Sequence, residues 1–192
     1  MTRKIINVKP LKDNKVLVDF ANELRKNEKN GQRDFLIFKM GINTGLRISD
    51  ILNLKVSDVK NKIETEIIEI KTNKVRNLNL KKLTNDIISY LADIHDGTSE
   101  WLFYSPRNHS RKLSSHQYYK ILQKAATSLG IDYVGTHTLR KTFAYHYYLR
   151  NKDLTMLMKI LNHSSQSVTL RYIGIEQEEI NASLDDFDPL SN

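Results

Sequence analysis

The chain has 192 residues, 40% of them hydrophobic and 27% charged, with a formal net charge of +8, which suits a globular protein with one good-sized core or two small ones. It has no cysteine, so disulfides, thiolate zinc sites and thiol nucleophiles are excluded. No apolar run approaches the roughly 20 residues of a membrane span, and the opening MTRKIINVKP forms no apolar signal segment, so we expect a cytoplasmic protein without membrane contact.

Apolar periodicity predicts helices in the first half of the chain over residues 13–28, 33–43, 49–54 and 83–94. Branched residues predict two strands, 63–70 and 75–80, joined as a hairpin with Thr72-Asn73 at its tip. A third short strand is expected at 101–103. From about Ser114 the pattern is helical almost to the end, with breaks at Gly130, Gly135, Asn151 and Asn162. The predicted fold is mainly α with a small three-stranded antiparallel β-sheet (α+β).

The charge is divided unevenly along the chain. Residues 176–192 carry six acids and no Lys or Arg, so the first 175 residues hold all 30 basic residues against 16 acids, a balance of +14. A body of this charge favours a polyanion through steering and counterion release. A lysine-rich solvated surface would give the same balance, so charge alone favours nucleic acid only slightly. We expect one domain over residues 1–175 and an acidic tail over 176–192.

Four phrases carry the residues with chemical potential. They are TGLRISDILNL (44–54), IKTNKVRNLNL (70–80), HTLRKTFAYH (137–146) and LNHSSQSVTLRY (161–172). In order, they supply Arg47, Lys71, His137, Arg140, His163 and Tyr172.

These residue types suit cleavage of a phosphodiester by an attacking side chain. Two arginines from different segments, Arg47 and Arg140, can hold the charged phosphate oxygens, because a guanidinium binds them bidentately and stays charged. The leaving deoxyribose oxygen needs a general acid. Lys71 at the hairpin can supply that proton, while Lys74 and Arg76 are rivals for this role or for phosphate contacts.

The remaining three residues complete the set. His137 and Arg140 are three apart, which places them on one face of a helix. His137 can bind a phosphate oxygen or carry the proton of the nucleophile, and His163 can donate a second hydrogen bond to phosphate. Tyr172, nine residues after His163, is the candidate nucleophile, although its free pKa of roughly 10 requires nearby positive charge.

Each residue alone also has an ordinary structural interpretation. Arg47 could be an ion-pairing arginine, Lys71 a solvated turn lysine and His137 a helix-cap residue. Tyr172 is one of nine tyrosines, of which Tyr145, Tyr147 and Tyr148 could equally be core or surface aromatics. The functional hypothesis therefore depends on the joint order and spacing of all six.

Taken together, the phrases resemble the catalytic domain of the tyrosine recombinases, the phage integrase family. The resemblance spans roughly residues 15–175 and includes T-G-L-R followed by Asp50, a hairpin lysine, H-x-x-R, and a second histidine nine residues before the tyrosine. It implies the catalytic-domain fold of that family and an enzyme that recombines DNA at specific sites. Tyr172 would form a 3′-phosphotyrosine, Lys71 would protonate the leaving oxygen, and the arginines and histidines would hold the phosphate.

The resemblance also implies a role for one residue beyond the six. Asp50 would orient an active-site arginine. Separately from the resemblance, we expect Lys74, Arg76 and Lys141 to contact DNA. Because the phosphotyrosine keeps the bond energy, neither a metal nor ATP nor any other cofactor is implied. The implied partner is double-stranded DNA. The protein would bind it as a homotetramer and would be monomeric or weakly associated without DNA.

The chain departs from the family pattern at several places. Asn162 replaces a usual glycine, and Lys141 stands where a second histidine is common. Only 46 residues precede Arg47, so we expect no separate N-terminal core-binding domain. The chain would be either an excised catalytic domain or a short member similar to the fimbrial-inversion recombinases. The tail has an apolar side that would dock on a neighbouring protomer, or fold back on its own body, formed by Ile175, Ile180, Leu184 and Phe187.

Two alternatives stay open from the sequence. One is a non-catalytic DNA-binding or regulatory protein on the same scaffold. The other is an enzyme similar to type IB topoisomerases, which would relax DNA without joining two duplexes.

Overall fold

The structure, a computed structural model, describes residues 8–174 and 184–185. In this part of the chain the helices are α1 Asn14–Arg25, α2 Gly31–Thr44, α3 Ile48–Ile51, α4 Val56–Val59, α5 Thr84–Asp93, α6 Ser115–Ser128, α7 Thr138–Asn151, α8 Leu154–Leu161 and α9 Gln166–Ile173. The strands are β1 Glu64–Ile68, β2 Val75–Asn79, β3 Tyr104–Ser105 and β4 Asn108–Lys112. The predicted α+β class is confirmed.

Helix α2 forms the centre of the main core, and most of its residues are buried. It packs against α1, α5 and α7. The helix ends at Gly45, whose φ of 63° is left-handed, and a Cβ at Gly45 would lie 2.3 Å from the ring of Phe143 in α7. Only glycine satisfies both conditions, so α2 can stop against α7 and turn directly toward Arg47.

The last three long helices form a smaller apolar cluster of their own. Ala144 of α7, Leu157 and Leu161 of α8, and Ile173 of α9 are fully buried together. Half-buried aromatic residues of α7 and α9 pack around them. This cluster fixes α9 against α7 and α8, and it therefore determines where the end of α9 lies.

The first hairpin matches the prediction closely. Strands β1 and β2 pair antiparallel, with Thr65 opposite Leu78 and Ile68 opposite Val75. The connecting loop, residues 69–74, is closed by a hydrogen bond from the Glu69 amide to the Lys74 carbonyl, 3.0 Å long. This loop carries Lys71 at the edge of the molecule.

The sheet differs from the predicted three strands. In the described residues there are two separate two-stranded sheets, β1–β2 and β3–β4. At Trp101 the chain forms only an isolated bridge with Lys55, and the Leu102 amide donates to the Leu54 carbonyl. Leu102 and Phe103 are buried in the main core, so this apolar run packs as a turn and not as a strand.

The acidic tail lies almost wholly outside the described residues. Leu184 is exposed, whereas Ile175, Ile180 and Phe187 fall outside the description. The division at residue 175 and the docking of the tail therefore stay predictions. Among residues 8–174 and 184–185, no helix has both the length and the apolar character needed to cross a bilayer.

Candidate active site

The first predicted residues lie where helices begin and where the first hairpin turns. Arg47 is the N-cap residue of α3, and Lys71 lies in the loop between β1 and β2. Arg140 lies in the first turn of α7. His137 is the N-cap residue of α7, so it immediately precedes the helix and does not lie on its face as predicted. All four residues therefore lie at or near the ends of helices or strands.

The loop between α8 and α9 positions the other two. Asn162 ends α8 with a left-handed φ of 56°, which asparagine tolerates better than most residues, and His163 follows directly. Ser165 then caps α9, accepting a hydrogen bond from the Val168 amide. Tyr172 lies in the last turn of α9, on the side that packs near α7.

Arg140 is the buried centre of the site. Its guanidinium donates to the Gly45 carbonyl, 2.9 Å away, and to the Leu161 carbonyl. It therefore ties the end of α2 to the end of α8, on either side of the α7 turn that carries it. Burial lowers the pKa of Arg140 to about 10, because removal from water disfavours the charge, yet the group stays charged at neutral pH.

Glu69 gathers the arginines around one carboxylate. Its Oε2 accepts from Arg47 at 2.9 Å and from the Thr72 hydroxyl at 2.7 Å, and its Oε1 accepts from Arg76 at 3.1 Å. Arg140 lies 4.0 Å from the same Oε1. Burial alone would raise the pKa of Glu69, but these donors outweigh it and hold the pKa at about 2.

Asp50 lies behind Arg47. Its Oδ1 accepts a hydrogen bond from the Ile70 amide at 3.0 Å, and its Oδ2 lies 3.9 Å from Arg47 Nη1. Among the described residues, that Oδ2 is buried without a hydrogen-bond partner. Burial raises the pKa of Asp50, and the negative charge of Glu69 adds to the rise. Asp50 thus connects Arg47 to the hairpin loop through its backbone contact.

His163 is a neutral imidazole in this environment. Burial, together with the positive charges of Arg140 and Arg47, lowers its pKa to about 4. Its Nδ1 lies 3.0 Å from the hydroxyl of Thr169, which is also 3.2 Å from the Ser165 carbonyl. When Thr169 donates to Nδ1, the other ring nitrogen carries the hydrogen and can donate to a ligand.

Tyr172 lies between the two histidines. Its hydroxyl oxygen is 3.4 Å from His137 Nδ1, and its ring centroid is 5.1 Å from that of His163 in an edge-on arrangement. Burial raises the pKa of Tyr172, whereas the charges of Arg140 and Arg47 act to lower it. The phenol is therefore protonated at neutral pH and faces a nitrogen that can accept its proton.

Two lysines lie next to this group. Desolvation lowers the pKa of His137 first, and the charges of Arg140, Lys141 and Lys71 lower it further, which places Lys71 within electrostatic range of the site. Lys71 itself is exposed. Lys141 donates to the Val8 carbonyl at 2.8 Å, and its ammonium lies 5.3 Å from the ring centroid of Tyr172. The Lys141 ammonium therefore lies beside the ring of the candidate nucleophile.

The two hairpin residues predicted to contact DNA differ in their surroundings. Lys74 is exposed and donates to the side-chain oxygen of Asn162 at 3.1 Å, which links the hairpin to the loop before His163. Arg76 is mostly removed from water, and it donates to Glu69 and to the Thr44 carbonyl. Its guanidinium thus has partners inside the protein.

Three contributing residues were not found from the sequence: Glu69, Thr72 and Thr169. A signal for Glu69 existed. In an alternating strand, residues 65, 67 and 69 share one face, and Thr65 and Ile67 are the inward residues of β1. An acid on that inward face, two positions before a loop lysine, indicates a buried partner for a cation.

Comparisons with known proteins identify the family of the chain. The sequence pattern of the phage integrase family matches residues 11–179. A probable integrase/recombinase of Bacillus subtilis, YoeC, is 48% identical over 153 residues, which cover 79% of this chain and 83% of that protein. The tyrosine recombinase XerC of Herpetosiphon aurantiacus is 30% identical over 154 residues, which cover 77% of this chain and 50% of that protein.

Solved structures show the same fold at lower sequence identity. The XerH site-specific recombinase bound to palindromic difH substrate, in a post-cleavage complex, aligns with a TM-score of 0.72 at 21% identity. That alignment covers 94% of this chain and 53% of the XerH chain. A lambda integrase dimer bound to a COC′ core site aligns with a TM-score of 0.67 at 16% identity, covering 90% of this chain and 49% of that chain. The chain thus spans about half the length of these structural neighbours.

Proposed function

This chain belongs to the phage integrase family, and from that premise we propose that it is a site-specific DNA recombinase that cleaves and rejoins strands through a 3′-phosphotyrosine at Tyr172. One observation supports the proposal above the others. The Tyr172 hydroxyl lies 3.4 Å from His137 Nδ1, in the field of two arginines from separate segments, Arg47 and Arg140. A phenol beside an imidazole, under the influence of two guanidiniums, suits a single backbone phosphate.

The arginines would bind the phosphate. The scissile phosphodiester carries one negative charge, and charge builds on its non-bridging oxygens as the nucleophile attacks. Arg47 is partly exposed and so is available to a ligand, whereas Arg140 is held rigidly by the carbonyls of Gly45 and Leu161. Rigid donors need no reorganisation during the reaction, which is why such preorganised charge is effective.

The nucleophile would be activated by transfer of its proton. Because burial raises the pKa of Tyr172, a base must remove the phenolic proton, and the lowered pKa of His137 keeps that imidazole free to accept it. Bound phosphate would favour the His163 tautomer that carries its hydrogen on Nε2, since the Thr169 hydroxyl can donate to Nδ1. His163 would then donate to a phosphate oxygen.

The leaving group would take its proton from Lys71. Attack by the Tyr172 oxygen forms a bond to phosphorus, the bond to the 5′ oxygen breaks, and the Lys71 ammonium supplies the proton that makes the 5′ hydroxyl. In the reverse step a 5′ hydroxyl attacks the phosphotyrosine and frees the phenol. Because the phosphotyrosine retains the energy of the broken bond, we propose that neither ATP nor a metal takes part.

The chain would act on double-stranded DNA in the cytoplasm. Lys74 on the hairpin and Lys141 on α7 would add contacts to DNA phosphates, while Arg76, which is mostly removed from water, would act through Glu69. Exchange between two duplexes requires four active sites, so we propose a homotetramer on DNA that is monomeric or weakly associated without it. Residues 1–175 would form the catalytic unit, and the tail would dock on a neighbouring protomer.

A covalent adduct tests the proposal. Nicked duplexes tiling the DNA beside the protein's own gene are incubated with the protein, and complexes that survive SDS are counted. The wild type should give an adduct at a specific site, and Tyr172→Phe should give none while still binding the same DNA. Tyr119→Phe, the same change on α6, is the matched control. Absence of any adduct with the wild type would refute the proposal, and relaxation of plasmids without a specific site would favour a topoisomerase.

A further inference from the structure

Glu69 is placed to do more than balance charge. It lies directly after β1 and two residues before Lys71, with its side chain 1% exposed. Its two oxygens each bind a different arginine, Arg47 on Oε2 at 2.9 Å and Arg76 on Oε1 at 3.1 Å. An ion this deeply buried is expensive to remove from water unless every lone pair finds a donor, so its contacts define a specific geometry.

The same carboxylate also shapes the loop that carries Lys71. The Thr72 hydroxyl donates to Oε2 at 2.7 Å, so the acceptor that holds Arg47 also holds the residue after Lys71. The backbone of Glu69 closes the loop from the other side. Its amide donates to Lys74, and its carbonyl accepts from the Asn73 amide at 2.8 Å. Lys71 therefore lies in a turn that is held by hydrogen bonds from both the side chain and the backbone of Glu69.

Arg47 remains able to bind a ligand while it is held. Among the described residues, its guanidinium donates one hydrogen bond, to Glu69, and its other N–H groups stay available for a phosphate. The pKa of Glu69, held at about 2, keeps the carboxylate ionised wherever the protein would work. Glu69 is thus a permanent anchor on one side of Arg47, with the Lys71 loop attached to the same anchor.

We propose that Glu69 is a positioning residue that couples the Lys71 loop to the Arg47 guanidinium, so that one carboxylate sets the distance between the phosphate-binding arginine and the proton donor. The inference rests on the proposed function and states how the Arg47 guanidinium and the Lys71 ammonium are held at a fixed distance from each other. Glu69 itself does not touch the DNA. Its effect on cleavage passes through Lys71 and Arg47, and these two contributions can be separated by the choice of substrate.

The separation uses two nicked duplexes that differ at one atom, the bridging 5′ oxygen of the scissile phosphate or a sulfur in its place. A thiolate leaves without a proton, so the sulfur substrate does not need the general acid. Lys71→Ala should cleave the oxygen substrate at least about 10²-fold more slowly than wild type, the usual size of a general-acid contribution, and should cleave the sulfur substrate at the wild-type rate.

Three variants then test Glu69. Glu69→Gln should lose rate on the oxygen substrate by a similar factor and regain most of it on sulfur, with a residual deficit from the misplaced Arg47. Thr72→Val removes only the loop tether, so its smaller loss should be restored completely by sulfur, and it keeps the test possible if Glu69→Gln does not fold. Glu66→Gln makes the same chemical change on the exposed face of β1 and should match wild type on both substrates.

The outcomes are distinct. Glu69→Gln and Thr72→Val proteins that cleave the oxygen substrate at the wild-type rate would overturn the inference. So would losses that are equal on oxygen and sulfur, because a purely structural role would slow both substrates alike. If the wild type forms no adduct on either substrate, the proposed function itself fails and the coupling falls with it. Selective rescue by sulfur in both variants is the result that we expect.

Discussion

Acid unfolding probes the environment of Glu69 independently of any DNA chemistry. The donors around its carboxylate lower its pKa in the folded protein from 4.5 to about 2. A difference of this size between the folded and unfolded pKa is equivalent to about 3 kcal/mol, at 1.36 kcal/mol for each unit. Because the folded value is the lower one, this stabilisation is present above pH 4.5. It is lost progressively as the pH falls from 4.5 toward 2, where the unfolded chain binds the proton first.

Asp50 acts in the opposite direction. Burial raises its pKa above the unfolded value of 3.8, so the ionised group disfavours folding at neutral pH, and acid relieves that penalty as the pH falls toward 3.8. The wild type alone therefore reports the sum of two opposing effects. A comparison with Glu69→Gln, which keeps Asp50, separates them, apart from the small change that the missing Glu69 charge makes to Asp50.

The measurement is urea unfolding followed by circular dichroism at a series of pH values from 6 to 2.5. Glu69→Gln should be less stable than wild type by about 3 kcal/mol or more at pH 6, and the gap should shrink by about that amount as the pH approaches 2.5. Glu66→Gln, exposed on the same strand, should show almost no gap at any pH. A gap between wild type and Glu69→Gln that does not change with pH would show that Glu69 is not the low-pKa group inferred from its contacts.

Two further substitutions test the framework around the site. Arg140→Lys can satisfy only one of the carbonyls of Gly45 and Leu161, so urea unfolding should show a loss of about 1–3 kcal/mol for the orphaned acceptor; an unchanged midpoint would show that these contacts contribute nothing. Gly45→Ala combines a left-handed φ with a contact 2.3 Å from Phe143 and should cost about 2–5 kcal/mol. Gly97 also has a positive φ, but an added Cβ would meet no atom within 4 Å, so Gly97→Ala should cost only about 1 kcal/mol. Equal losses of stability in the two variants, measured by thermal unfolding, would refute the steric argument.

Much of the fold could be predicted from the sequence because local patterns and burial agree. The periodicity of 83–94 predicts α5 within a residue at each end, and the hairpin of β1 and β2 follows from its branched residues. The run Trp101-Leu102-Phe103 could not be assigned in this way. A short apolar run suits a strand or a buried turn equally, and the choice depends on tertiary contacts such as the hydrogen bond from Leu102 to Leu54.

The candidate site shows a similar division. The six residues named from the sequence lie in phrases whose spacing is informative, and the structure brings Arg47, Arg140, His137, His163 and Tyr172 around one place with Lys71 in electrostatic range. The anchors of those residues were harder to find. Strand alternation places Glu69 on the inward side, unlike Glu64 and Glu66 of β1, but the pattern does not name its partners, because Arg47 comes from a distant segment and Arg76 from the next strand.

In the proposed reaction one phenol among nine becomes bonded to DNA. The most direct measurement is mass spectrometry of the trapped complex after nuclease and protease digestion, which identifies the peptide that keeps a nucleotide. We expect the nucleotide on Tyr172. A nucleotide on Tyr145, Tyr147 or Tyr148 of α7, or on a residue other than tyrosine, would contradict it.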